Sequence, residues 1–135
     1  MPELLDPRLR VAASFVRKGA RLADVGCDHG YLITQLYADG VITGGVACDV
    51  NEMPLETAKK LVSQLGYDDK IQCRLGDGLS CVNADEADDI VIAGMGGTLI
   101  FEILTAFDWT RDAQKRFILQ PMTKISFLRG ALLAE

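Results

Sequence analysis

The stretch Ala23-Asp24-Val25-Gly26-Cys27-Asp28-His29-Gly30-Tyr31-Leu32 constrains the fold more than any other part of the chain. An apolar strand ends in an acid, breaks into a turn with two glycines and leads into a helix. The same alternation recurs downstream. Strands are expected at residues 21–25, 45–50, 70–75, 89–93 and 116–120. Helices are expected at about 31–38, from Met53-Pro54 to Gly66, at about 98–106 and at 125–133. Strands alternating with helices mean right-handed βαβ units, a parallel sheet and helices on both faces. The run Ile90-Val91-Ile92-Ala93 is apolar throughout, as a strand buried on both faces should be. With 135 residues there is room for one domain with a real core, and not for two.

Ahead of the first strand, Leu9, Ala12, Ala13 and Val16 recur at helical spacing. Asp6 is placed to cap that helix, Pro7 to open it and Gly19 to end it. Asn51 is a candidate cap for the helix that follows the second strand. The acidic run at 83–88 reads as a solvated loop, and Arg8, Arg10, Arg17, Lys18 and Arg21 as a solvated basic face. A net charge of −5 argues against this segment gripping nucleic acid by itself. Cys27, Cys48, Cys73 and Cys81 form no C-x-x-C pair and, with the single His29, offer no zinc spacing, so no metal site is expected. They read as small buried hydrophobes. No apolar run approaches the ~20 residues of a membrane span, and the first residues lack the pattern of a signal peptide. A cytoplasmic location is the expectation.

In an open sheet of this type, ligands sit outside the carboxyl ends of the strands, where the first glycine turn lies. Dinucleotide sites need G-x-G-x-x-G, but counting from Gly26 the second position holds Asp28 and the third Tyr31. The pattern here is acid-x-Gly-x-Asp-x-Gly. It resembles the first motif of class I S-adenosyl-L-methionine (SAM) methyltransferases, [D/E]-x-G-x-G-x-G, with Asp28 in the place of the middle glycine. An extra carboxylate suits a cofactor with a cationic amino group and repels a pyrophosphate. Later strand ends repeat the theme. Asp49, followed by Val50, ends the second strand near the offset at which an acid grips ribose hydroxyls. Asp77-Gly78 follows the third strand, where an acid can accept from an adenine amino group. Gly94, Gly96 and Gly97, with Met95 among them, follow the fourth, and the three glycines bring bare backbone to the cleft. Each has a plainer reading as a helix cap or tight turn, and their joint placement carries the inference.

The strings around these residues, Asp24 to Leu32, Arg74-Leu75-Gly76-Asp77-Gly78-Leu79, Ile92 to Ile100 and Ile118-Leu119-Gln120-Pro121, resemble the bacterial tRNA (adenine-22 N1)-methyltransferases. The Arg8-Leu9 and Met53-Pro54 regions also fit. The resemblance implies a Rossmann-like class I methyltransferase fold, SAM as methyl donor and N1 of a tRNA adenine as acceptor. It puts the cofactor pocket at Asp24, Gly26, Asp28, His29, Asp49, Val50, Asp77, Gly78, Gly94 and Met95. Neutral adenine N1 has a free lone pair, so no base must deprotonate it, whereas the methylated product is cationic. A carboxylate beside the base would stabilise that charge. Asp28 is the first candidate, with His29 orienting it or the base.

Two departures stand out. Met122 follows Gln120-Pro121 where the family has Asn, and the family's sheet has seven strands in the order 3-2-1-4-5-7-6. Only five strands are found here, so residues 1–135 are expected to be a SAM-binding domain truncated after strand 5. Contacts to tRNA are then expected mainly through absent parts, and the apolar fifth strand is expected to invite self-association. Two alternatives remain at this stage. One is a nicotinamide dehydrogenase, disfavoured by the failed glycine count. The other is a SAM-binding module, or a methyltransferase acting on a small molecule or a protein.

Overall fold

The computed structural model describes residues 5–134. Five strands, β1 (Ala20–Val25), β2 (Ile42–Asp49), β3 (Ile71–Leu75), β4 (Asp89–Met95) and β5 (Arg116–Pro121), form one parallel sheet in the order β3-β2-β1-β4-β5. Helices α1 (Pro7–Ser14), α2 (Tyr31–Ala38), α3 (Glu52–Gln64), α4 (Gly97–Thr105) and α5 (Ile125–Ala134) cover both faces. The strand order matches the first five strands of the expected class I sheet.

Period-2 alternation sends neighbouring side chains of each strand into separate cores. Leu22, Val91 and Ala93 face α1, α2 and α3, where they meet Ile33, Leu55 and Ala58. Ala23, Val25, Ile90 and Ile92 face the opposite side, where they meet Ile100, Leu104 and Leu128. Both faces are covered, so the central strands carry no polar stripe. Chain direction around the sheet reverses between β1 and β4, and the strand ends open a crevice there.

Four cations hold the segment at residues 84–89, which leads into β4, in place. Arg17 donates to Oδ1 of the fully buried Asp89 through both Nη2 at 2.6 Å and Nε at 2.8 Å, and its backbone N–H donates to Oδ2 at 2.7 Å. Arg21 pairs with Asp88 at 3.1 Å and also donates to the Asp85 carbonyl. Arg74 binds both oxygens of Glu86 at 2.8 and 2.7 Å, which holds that carboxyl at a pKa of about 2. Lys115 Nζ donates to the carbonyls of Ala84 and Ala87. Arg17 and Arg21 are therefore not part of a solvated basic face, and the acidic run is not a loose loop. It contains a short 3-10 turn, Ala84–Glu86, with its own capping box.

Other expectations shift for local reasons. Asp6 does cap α1, accepting from Leu9 N at 2.9 Å, and Pro7 opens it. That helix stops at Ser14 under a Phe15 cap, and Gly19 (φ +86°) instead turns the chain into β1. Asn51 precedes α3 but its side chain makes no cap bond. Strand β2 begins three residues early because Gly44 and Gly45 are not breakers. A bulge lies beside them, and a Cβ at Gly45 would sit 2.0 Å from the Leu22 carbonyl oxygen. Strand β4 runs on to Met95 because a second irregularity at Gly94 restores its pairing with Pro121.

Candidate functional site

The carboxyl end of β1 feeds a loop with left-handed backbone at alternate residues: Gly26 (φ +78°), Asp28 (φ +54°) and Gly30 (φ +81°). Aspartate tolerates this conformation better than most side chains, which explains how it replaces a glycine here. The two flanking positions admit no side chain. A Cβ at Gly26 would lie 2.8 Å from Met95 Cε, and one at Gly30 would lie 2.9 Å from Ala58 Cβ. The amides of Gly26 and Cys27 donate to the Cys48 carbonyl, both at 2.9 Å, and bind the loop to the end of β2.

Asp49 completes that attachment. Its buried carboxylate accepts from Asp28 N through Oδ2 and from Asn51 N through Oδ1, both at 2.9 Å. It thus positions Asp28 as well as lying where ribose hydroxyls are expected. Asp24, 3% exposed, has no such support, and its Oδ2 is buried without a hydrogen-bond partner. Burial above all, then the charges of Asp49 and Asp28, pushes the Asp24 carboxyl up to about 7. An unpaired buried carboxylate is costly, and a cationic ligand group is the natural relief.

The crevice has two lobes. The larger, about 410 Å³, is lined by Asp49, Val50, Asp77, Gly78, Met95 and Leu99 among others. The smaller, about 220 Å³, includes Asp24, His29, Tyr31, Arg8, Leu9 and Gln120. Gly26, Asp28, Ala93, Gly94 and Met122 line both and mark the junction. All ten residues expected at the cofactor pocket line one lobe or the other. At the junction the Asp28 side chain is 73% exposed, and its Oδ1 lies 3.3 Å from His29 Nδ1.

The glycine cluster after β4 divides. A Cβ on Gly94 would meet nothing within 4 Å, so this residue does bare its backbone to the crevice. Gly96 and Gly97 do not. Their added Cβ atoms would lie 2.6 Å from Thr123 Oγ1 and 2.4 Å from the Lys124 carbonyl oxygen. They are small so that the segment after β5 can pack on them, and they leave no room for a ligand.

The wall built by α1 was not legible in the sequence as part of a site. Gln120 Nε2 donates to the Arg8 carbonyl at 2.8 Å and ties the end of β5 to the first turn of that helix. Its amide N–H is therefore used in holding the wall. The four thiols are free, and burial first, then Asp24 and Asp49, raises the pKa of Cys27. Cys27 fills space, and among the described residues no cluster suited to a metal ion is found.

Residues 5–135 match the family model described as a methyltransferase domain. The chain is 37% identical over 131 residues to the tRNA (adenine(22)-N(1))-methyltransferase of Bacillus subtilis, covering 97% of this chain and 55% of that protein. The crystal structure of the B. subtilis M1A22 tRNA methyltransferase TrmK superposes with a TM-score of 0.92 at 36% identity, over 98% of this chain and 57% of that one. M. capricolum TrmK, solved with S-adenosyl-homocysteine (SAH), gives 0.83 at 32% identity, over 97% and 58%. The chain thus spans little more than half the length of these relatives. On the family match across residues 5–135, it belongs to the methyltransferase domain family.

Proposed function

We propose that residues 1–135 form the cofactor-binding methyltransferase domain of a protein that moves a methyl group from SAM to N1 of an adenine in tRNA. Adenine 22 is the position named for the similar B. subtilis protein. The observation that carries the reading is the unpartnered, buried Asp24 carboxylate at the head of the glycine loop. It supports a ligand with an ammonium group, which SAM has, and disfavours the negative charge of a pyrophosphate at this turn.

The residues present fit that cofactor. Asp24 and Asp28 would hold the amino end, Asp49 and Val50 the ribose, and Asp77 and Gly78 the adenine. Gly26, Gly94 and Met95 would line its middle, with His29 beside its amino end. When bound, SAM supplies a methyl group activated by a sulfonium. What remains for the protein is placement and charge. Asp49 fixes the Asp28 amide at 2.9 Å, and so holds the Asp28 carboxylate at the junction of the lobes. That carboxylate stabilises the positive charge that grows on the acceptor ring, and His29 at 3.3 Å restrains its orientation. Asp28 and His29 are thus the catalytic pair of the proposal. The proposed passage from one lobe to the other runs beside Gly94 and Met122, which line both.

The acceptor base must leave its stack to reach that passage. Phosphate contacts are proposed to lie mainly outside these residues, whose net charge is −5 and four of whose 14 Lys and Arg already serve internal acids and carbonyls. No helix among the described residues is long and apolar enough to cross a membrane. A cytoplasmic setting, where tRNA is found, goes with the reading. Incubating the full-length protein with SAM and unmodified tRNA, then mapping the modified nucleoside, tests it. N1-methyladenosine is expected, and a methylated small molecule or protein with unchanged tRNA would overturn it.

A further inference from the structure

Tyr31 is the first residue of α2, and the next five residues, Leu32 to Leu36, are all buried. The backbone beneath it is fixed. Thr34 Oγ1 donates to the Gly30 carbonyl at 2.7 Å, and Gly30 is wedged against Ala58. The Tyr31 side chain nevertheless remains at the rim, 37% exposed, and lines the smaller lobe. Its ring lies near-parallel to that of His29, with centroids 5.9 Å apart and planes inclined by 22°. Among the residues lining that lobe, these two supply the only ring surfaces.

The pair does not line the lobe expected to take the cofactor's own adenine. Asp49 and Asp77 line the other lobe, and the two lobes meet only at Gly26, Asp28, Ala93, Gly94 and Met122. A ring in the smaller lobe therefore lies on the side away from the cofactor's adenine, in the lobe where Asp24 and His29 would meet its amino end and where the acceptor would approach. We propose that Tyr31, flanked by His29, is the shelf on which the acceptor base stacks, and that it selects a planar ring that becomes cationic on methylation. An aromatic face serves such a ring twice. It stacks on the neutral base when the base is turned out of the RNA, and its quadrupole attracts the positive charge that then develops. Asp28 at the junction supplies the matching negative charge. The inference rests on the methyl-transfer reading above.

The test compares Tyr31→Leu with Tyr31→Phe in the full-length protein, measuring kcat/KM for unmodified tRNA and the Kd of SAH. Loss of a base-stacking ring should lower kcat/KM by about tenfold or more for Leu, with Phe close to wild type. SAH affinity should be unchanged in both. Should the Leu variant fail to fold, Tyr31→Gln, polar at an exposed rim position, gives the same contrast. A ring-free variant as active as wild type overturns the shelf. So does a parallel fall in SAH affinity, which would place Tyr31 on the cofactor's tail, or a Phe variant as poor as Leu, which would make the hydroxyl the active feature. Wild-type protein that binds SAH but methylates no tRNA overturns the underlying reading and the shelf together.

Discussion

Replacing Asp24 by Asn removes a buried charge and keeps the shape of the side chain, so it separates the cost of that carboxylate from its use. Burial and the neighbouring Asp49 and Asp28 raise its pKa from 3.8 to about 7. A group whose pKa is raised by folding favours the native state fully only below its unfolded value. The protonated native form is therefore easiest to keep below about pH 4, and the advantage is lost as pH climbs through 7. A shift of about three units amounts to at most about 4 kcal/mol of stability lost by pH 8, at about 1.36 kcal/mol per unit. Water entering an open crevice reduces this, so about 1–4 kcal/mol is expected.

The Asn variant should therefore be more stable than wild type at pH 8, and the gain should shrink by more than half at pH 5. Urea unfolding of both proteins at the two pH values measures this. Comparing variant with wild type at each pH cancels the opposite trend from Glu86 and Asp88, whose lowered carboxyls lose stability in acid. In the same variant SAH binding should weaken by about 1.5–3 kcal/mol, the worth of a hydrogen bond to a charged group. Wild-type affinity should itself decline as pH falls below 7, because the ligand's ammonium needs the charged carboxylate. Equal destabilisation at pH 5 and pH 8 would refute the reasoning, since Asp24 would then be an ordinary structural acid.

Three further outcomes follow from the same geometry. Asp49→Ala should weaken SAH binding by about 1–3 kcal/mol in calorimetry, and unchanged affinity would remove Asp49 from the site. Asp28→Asn, which keeps a side chain tolerant of the left-handed backbone, should lower turnover more than SAH affinity; normal turnover would end its catalytic assignment. Among the described residues β5 has a strand neighbour on one side only, and Phe101, Phe117, Leu119 and Leu132 line a groove of about 600 Å³ beside it. Residues 1–135 on their own should self-associate through that edge, and a strict monomer in light scattering at high concentration would count against it.

What could be read from the sequence differs from what could not in the range of the interactions involved. The strands and the strand-end acids were legible because short apolar runs and an acid before a glycine turn are local signals, whereas the sheet order came with the family resemblance. Gly26, Asp28 and Gly30 all take left-handed backbone at the turn that the motif marks. By contrast, the reason for Gly96 and Gly97 lies 26 or more residues away, in the segment at Thr123 and Lys124 that packs on them. From sequence alone they looked like a second opening in the cleft, and packing makes them its closed side. Arg17 and Arg21 misled in the same way, since the acids they meet are 72 and 67 residues downstream. Gln120 is the extreme case, reaching Arg8 across 112 residues to close one wall of the smaller lobe. The lobe that is expected to hold the acceptor beside the cofactor's amino end is therefore the one assembled from the most distant parts of the chain. The cofactor's lobe is built largely from the short turns that follow individual strands. A local reading of sequence thus recovers the cofactor before it recovers the acceptor, because only the first is held by segments that carry their own signature.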